Sequence, residues 1–357
     1  MKSVRGLALV SICIFVACGG EAPPPADSPQ APPLAATSGP APMASAAPST
    51  STDPPAAAEP TPAETKKAEA LRILKEERAK WQEENTTELA RWTPELHASA
   101  KALAEKRYGN ARAALRAAIA GKHRKPGNAE RDGARHPVET LAFFGFKPTL
   151  TVLEVSPGDG WYTELLAPAL AVQGKLIATT TDPAGPEDEG STLYGQRYKA
   201  FLDKAPEIYG KVQTVVVSEK EPSLGLDASV DLVLLMRAAH GMVNNGTLAM
   251  WLGATSKALK PGGVLGIEEH RAPVGADPIE SAKKGYLPQK WLIEQCEAAG
   301  FKLAGKSEIN ANPKDTKDYP EGVWSLPPTL RHADADRAKY IAIGESDRMT
   351  LKFVKAP

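Results

Sequence analysis

The densest chemistry in this chain lies between Val152 and Thr163. An apolar run reaches Glu154-Val155 and meets the turn Ser156-Pro157-Gly158-Asp159-Gly160. Trp161-Tyr162-Thr163 then follow, residues that can open a helix. Glycines let backbone approach a ligand closely, and a carboxylate at the end of a strand can accept hydrogen bonds from it. An open α/β sheet builds a nucleotide-type pocket in this way, at the carboxyl end of its first strand. The candidate binding residues are therefore Glu154, Gly158, Asp159, Gly160 and Tyr162. Asp182, at the end of Ile177-Ala178-Thr179-Thr180-Thr181-Asp182-Pro183, offers a further carboxylate. An aspartate before proline is equally ordinary as a turn residue.

Two later segments carry acid–base groups. Met236-Arg237-Ala238-Ala239-His240 ends one apolar run, and Glu268-Glu269-His270-Arg271 ends the next. An imidazole titrates near neutrality and can take a proton from a nucleophile. His240, His270 and Glu269 are the candidate catalytic residues. A histidine that caps the next segment, or an ion-paired rim without chemistry, would use the same residue types. His240, Glu269 and His270 could converge on a metal ion between neighbouring strand ends. Their spacing is not a recognised metal motif, so no metal is expected. Cys296 lies in the apolar-periodic segment Trp291–Cys296 and reads as a buried helix cysteine.

These residues need a sheet to place them. Strands are predicted at Leu150–Val155, Lys175–Thr180, Val212–Val217, Val230–Met236 and Val264–Glu268, with closing strands at Phe301–Ile309 and Arg348–Val354. Helices are predicted at Val138–Phe146, Tyr162–Ala171, around Tyr194–Ala205, at Leu248–Leu259 and at Gln289–Ala299. This alternation implies an α/β fold with a mostly parallel sheet. The connection at about 310–345 carries Trp324, Pro327, Pro328, Arg331 and His332, and a connection that long is often functional.

Three landmarks occur in order: the turn after Glu154, Leu259-Lys260-Pro261-Gly262-Gly263 before the fifth strand, and Ala298-Ala299-Gly300-Phe301 before the closing hairpin. Together they resemble class I methyltransferases dependent on S-adenosylmethionine (SAM), over roughly residues 131–357. The resemblance implies a Rossmann-like sheet closed by an antiparallel hairpin, and SAM as cofactor. It implies that Glu154, Gly158 and Gly160 cradle the methionine and ribose parts. The acidic ribose residue of the family stands directly after the second strand, whereas Asp182 arrives late. The adenine contact would fall near Ser218 or Glu219. The Asn/Asp-Pro-Pro-aromatic signature of amino-group methylation of bases or glutamine is absent. A narrower likeness, to a bacterial group of predicted methyltransferases, runs through Arg135–Phe144, Gly160–Ala167, Glu269–Ala272, Ser307–Thr316 and Gly344–Met349. The implied activity is methylation of a small-molecule acceptor. The other reading is a non-catalytic binding or scaffold domain on the same fold.

The N-terminus complicates this activity. Lys2 and Arg5 precede the apolar run Gly6–Ala17, which is short for a bilayer span. Phe15-Val16-Ala17-Cys18-Gly19 resembles a bacterial lipoprotein signal at residues 1–18, with Cys18 the lipidated residue. Residues 19–63, rich in Pro and Ala, read as a tether without a core. The expected location is the cell envelope, at the outer membrane or periplasm, where SAM is not expected. Residues 64–125 are read as helical. One helix covers 64–92, and a second starts at Thr93-Pro94-Glu95 with the stripe Leu96, Leu103, Ala111, Leu115 and Ile119. They could pack on the domain or protrude as a stalk. Forty-three basic and 43 acidic residues balance to zero net charge, so nothing electrostatic points to nucleic acid as a partner.

Overall fold

The structure is a computed structural model that describes residues 61–218, 220–331 and 335–356. The signal, Cys18, most of the tether, Glu219 and His332 lie outside the described residues. The described residues from Leu74 onward form one compact unit, and those before Leu74 belong to another. In chain order the elements are α1 (Pro62–Arg91), α2 (Pro94–Glu105), α3 (Ala111–Ile119), α4 (Asp132–Arg135) and α5 (Pro137–Phe144). They continue as β1 (Thr151–Val155), α6 (Thr163–Leu170), β2 (Lys175–Thr180), α7 (Gly190–Asp203), α8 (Pro206–Tyr209), β3 (Gln213–Val216) and β4 (Val230–Met236). Then come α9 (Ala239–Asn244), α10 (Leu248–Ala258), β5 (Leu259–His270), α11 (Pro278–Lys283), α12 (Gln289–Ala298), β6 (Phe301–Ser307), α13 (Arg337–Ile343) and β7 (Arg348–Lys355). Among the described residues no helix is long and apolar enough to cross a membrane.

The sheet has seven strands in the order β3-β2-β1-β4-β5-β7-β6. The first five run parallel, and β7 inserts antiparallel between β5 and β6. This is a Rossmann-like sheet closed by an antiparallel hairpin, the arrangement that the resemblance implies. Strand order reverses between β1 and β4, which creates a crevice at their carboxyl ends.

The central strands are apolar almost throughout because both faces are covered. Val152, Leu176, Ala178, Leu232 and Leu234 face one core, with Leu141 of α5 and Leu165 and Leu166 of α6. Their strand neighbours Leu153, Ile177, Val233 and Leu235 face the other, with Leu252 of α10 and Leu292 of α12. Side chains alternate faces along a strand, so one apolar run serves two cores.

The N-terminal helices and the link between α1 and α2 contribute to the first of these cores through Trp92, Ala100, Ala104 and Leu115. Thr93 caps α2 by accepting from Leu96 N–H, as its place before Pro94 predicts. The helix predicted to continue to Ile119 instead breaks after Glu105. Asn110 restarts the chain as α3, its side chain accepting from Ala113 N–H. Glu88 of α1 meets Lys204, just past α7, at 3.0 Å, Arg91 at 2.7 Å and Trp92 Nε1 at 3.1 Å. Burial pushes the Glu88 carboxyl up, but Arg91 and Lys204 outweigh it and hold it at about 2.

Candidate functional site

The predicted turn follows β1 directly, at the point where strand order reverses. Ser156, Gly158 and Gly160 have φ of 51°, 62° and 81°. Left-handed backbone favours glycine, and Gly160 needs it twice over. A Cβ there would lie 2.6 Å from the Phe201 ring, whereas one on Gly158 would meet nothing within 4 Å. The turn is buttressed from its neighbours. Ser156 N–H donates to Thr179 Oγ1 at 2.9 Å, and Gly158 N–H donates to the Tyr194 hydroxyl at 2.7 Å. The Asp159 carboxylate pairs with Arg197 at 2.7 Å.

Two of the predicted ligand groups are placed otherwise than expected, and a third takes the turn role that was equally open to it. Glu154 does not reach the crevice as an exposed carboxylate. It is 2 % exposed and accepts from Thr163 Oγ1 at 2.7 Å. Burial pushes its carboxyl up to about 8, against the opposing pull of Thr163 and Arg237. Tyr162 is also enclosed, because it points inward from the start of α6. Its hydroxyl donates to Glu268 Oε2 at 2.9 Å across the sheet end. Asp182 lies two residues beyond β2 and accepts from Ala184 N–H at 2.9 Å. It is the turn aspartate that its following proline suggests.

At the next strand ends the chain does gather its acid–base groups. Glu269, fully buried at the end of β5, accepts from His240 N–H at 3.1 Å and from His270 N–H at 2.8 Å. Its Oε1 lies 3.0 Å from His240 Nδ1. The two imidazole rings are 5.6 Å apart. His270 Nδ1 faces Ser346 Oγ at 2.5 Å, and burial lowers the basicity of His270. Trp324 stands edge-on to His240 at 6.0 Å and Tyr286 edge-on to His270 at 6.3 Å. His240, His270 and Glu269 are thus brought together at the ends of β4 and β5. The cap of the segment that opens at His240 is Glu269 and not a histidine.

The flanking cluster was not predicted. Arg237, at φ 58°, donates its N–H to Glu268 O at 2.6 Å and its guanidinium to Glu268 Oε1 at 3.1 Å. Arg348 Nε reaches the same oxygen at 3.2 Å. Glu345 in turn holds Arg131 at 2.8 Å, Arg135 at 3.3 Å and Arg348 at 2.6 Å. Glu268 is therefore the buried counter-ion of two arginines and the acceptor of Tyr162, with no oxygen left over for acid–base work. Arg131 and Glu345 are separated by 214 residues, and only the fold joins them. The sequence signal, available in hindsight, was that Arg135 and Gly344–Met349 both fall in the narrower resemblance.

No family model matches the chain, and no curated protein matches it. Solved structures do resemble it. A SAM-dependent methyltransferase from Aquifex aeolicus aligns at 18% identity over 64% of this chain and 93% of its own, with a TM-score of 0.42. A 1,6-didemethyltoxoflavin-N1-methyltransferase from Burkholderia thailandensis, solved with S-adenosylhomocysteine, aligns at 14% identity over 64% and 80%, TM-score 0.38. A TehB-like SAM-dependent methyltransferase from Corynebacterium glutamicum aligns at 14% identity over 62% and 87%, TM-score 0.35. The strand order and register of the sheet are what identify the fold.

Proposed function

We propose that this protein is a SAM-dependent methyltransferase acting on a small-molecule acceptor, and that its lipoprotein-type N-terminus anchors it at the cell envelope. One observation carries the reading. The left-handed glycine turn stands at the switch point of the sheet, and the ends of β4 and β5 present His240, Glu269 and His270. The turn fits the cofactor at Gly158, where open space adjoins the backbone. The ribose position fits less well, since Asp182 is turned into its own loop. Gly158, Asp159 and Gly160 would hold the group, and Asp182 would join them only if its turn opens. Bound there, SAM supplies an electrophilic methyl group on a sulfonium sulfur.

The chain's own part is orientation and, for a protonated acceptor, removal of a proton. Holding reactants in line contributes roughly 7–11 kcal/mol in the best cases. Glu269 fixes the Nδ1 side of His240, which leaves Nε2 to take the proton of an acceptor hydroxyl, thiol or amine. His270 is tied to Ser346 and positions the acceptor from the other side.

The scaffold reading has one observation in its favour. Tyr194 and Arg197 of α7 engage the turn at Gly158 and Asp159, where a ligand would sit. Ultraviolet cross-linking with methyl-labelled SAM separates an enzyme of this kind from a scaffold that binds no SAM. An enzyme takes up label that S-adenosylhomocysteine competes away. Gly158→Trp fills the open space and should lower labelling about tenfold or more. Equal labelling of wild type and variant would remove the turn as the binding site.

A further inference from the structure

Among the described residues, His240, Glu269 and His270 are grouped so that one ligand atom from each lies within 4.8 Å of the other two. We propose that this triad binds a divalent transition-metal ion. The donor set is two imidazoles and one carboxylate, the combination that suits zinc or ferrous iron rather than calcium or magnesium.

Three features of the site suit an ion. First, His240 Nδ1 and Glu269 Oε1 are 3.0 Å apart, a separation that two ligands of one ion also adopt. Second, His270 Nδ1 is engaged by Ser346 Oγ at 2.5 Å, which leaves Nε2 as its ligand atom. An outer partner on the far ring nitrogen is what fixes the orientation of metal-bound histidines. Third, the carboxylate is already oriented, because the backbone N–H groups of His240 and His270 both donate to it. The rings of Trp324 and Tyr286 flank the two imidazoles.

The site has three protein ligands, so the ion keeps a position for an exogenous one. An acceptor hydroxyl or thiol bound there would lose its proton to solvent more readily, because coordination to the cation stabilises the anion. His240 then serves as a ligand, and the metal replaces it as the means of activating the acceptor. The inference does not rest on SAM binding and is measured without it.

The experiment is a cobalt(II) titration of the tag-free full chain, read by visible absorption. The proposal predicts one cobalt per chain with the intense bands of a low-coordinate site, and their loss on adding equimolar zinc. His240→Ala and His270→Ala should each abolish the bands while near-ultraviolet circular dichroism stays native. Ser346→Ala, which leaves every ligand in place, should weaken binding by about tenfold to a hundredfold. It keeps the test open if a ligand variant fails to fold. No bands at millimolar cobalt with folded protein would overturn the proposal, as would bands unchanged in both histidine variants. Neither failure bears on the glycine turn, which the SAM cross-link tests by itself.

Discussion

Glu154 shows how a residue type can be read correctly and its role misjudged. A carboxylate after an apolar run is visible in the sequence, but which way it faces is set by Thr163 on the next helix. Buried there, it keeps its proton to about pH 8, against 4.5 when unfolded. The consequence has a definite sign. The raised value means that native protein binds the proton more tightly than the unfolded chain. Its contribution is fully present below about pH 4.5 and is lost as pH rises through about 8, by up to about 1.4 kcal/mol per unit. Glu154→Gln, a neutral isostere, should flatten this decline. Urea midpoints at about pH 5 and about pH 8.5 should diverge in favour of the variant only at the higher pH. A constant difference between the two proteins would contradict the buried, protonated carboxyl. Tyr162 carries the same lesson, since its neighbours in the turn give no hint that its hydroxyl is committed to Glu268.

At the scale of elements, strong periodicity was legible and short segments were not. β2 and β4 have the bounds that their apolar runs predict, and α12 differs by one residue. The helices α8, α9, α11 and α13 have four to seven residues, too few to display a helical stripe. Two of them nonetheless matter to the site region, since α9 opens beside His240 and α13 precedes the Glu345-Ser346 corner. The docking of α1 was likewise open, because a charged helix reads the same on a stalk or on a domain. Glu88 decides it for the residues after Leu74. Its partner Lys204 is 7 % exposed, so Glu88→Ala would strand a buried ammonium. A loss of about 3–5 kcal/mol is expected in chemical denaturation. The paired change Glu88→Met with Lys204→Met should recover part of it, because it removes the buried ammonium, while Arg91 still loses its carboxylate. If the single variant is as stable as wild type, the pair does not hold α1 in place.

For the whole molecule, the strand order joins what the chain keeps apart. Glu268, Glu345, Arg131, Arg135, Arg237 and Arg348 come from four regions of sequence and meet at one end of the sheet. The sequence shows no periodic pattern for such a cluster, because each contact depends on tertiary closure. The crevice itself was legible, since the glycine turn and the alternation of strands and helices jointly fix where order reverses. The central claim is that this crevice binds the SAM skeleton. It is tested most directly by calorimetric titration of the purified full chain, in detergent, with S-adenosylhomocysteine. The account predicts saturable one-site binding at about micromolar strength, near 8 kcal/mol, and its loss in Gly158→Trp. No heat and no thermal shift at millimolar ligand, from protein shown to be folded, would contradict it.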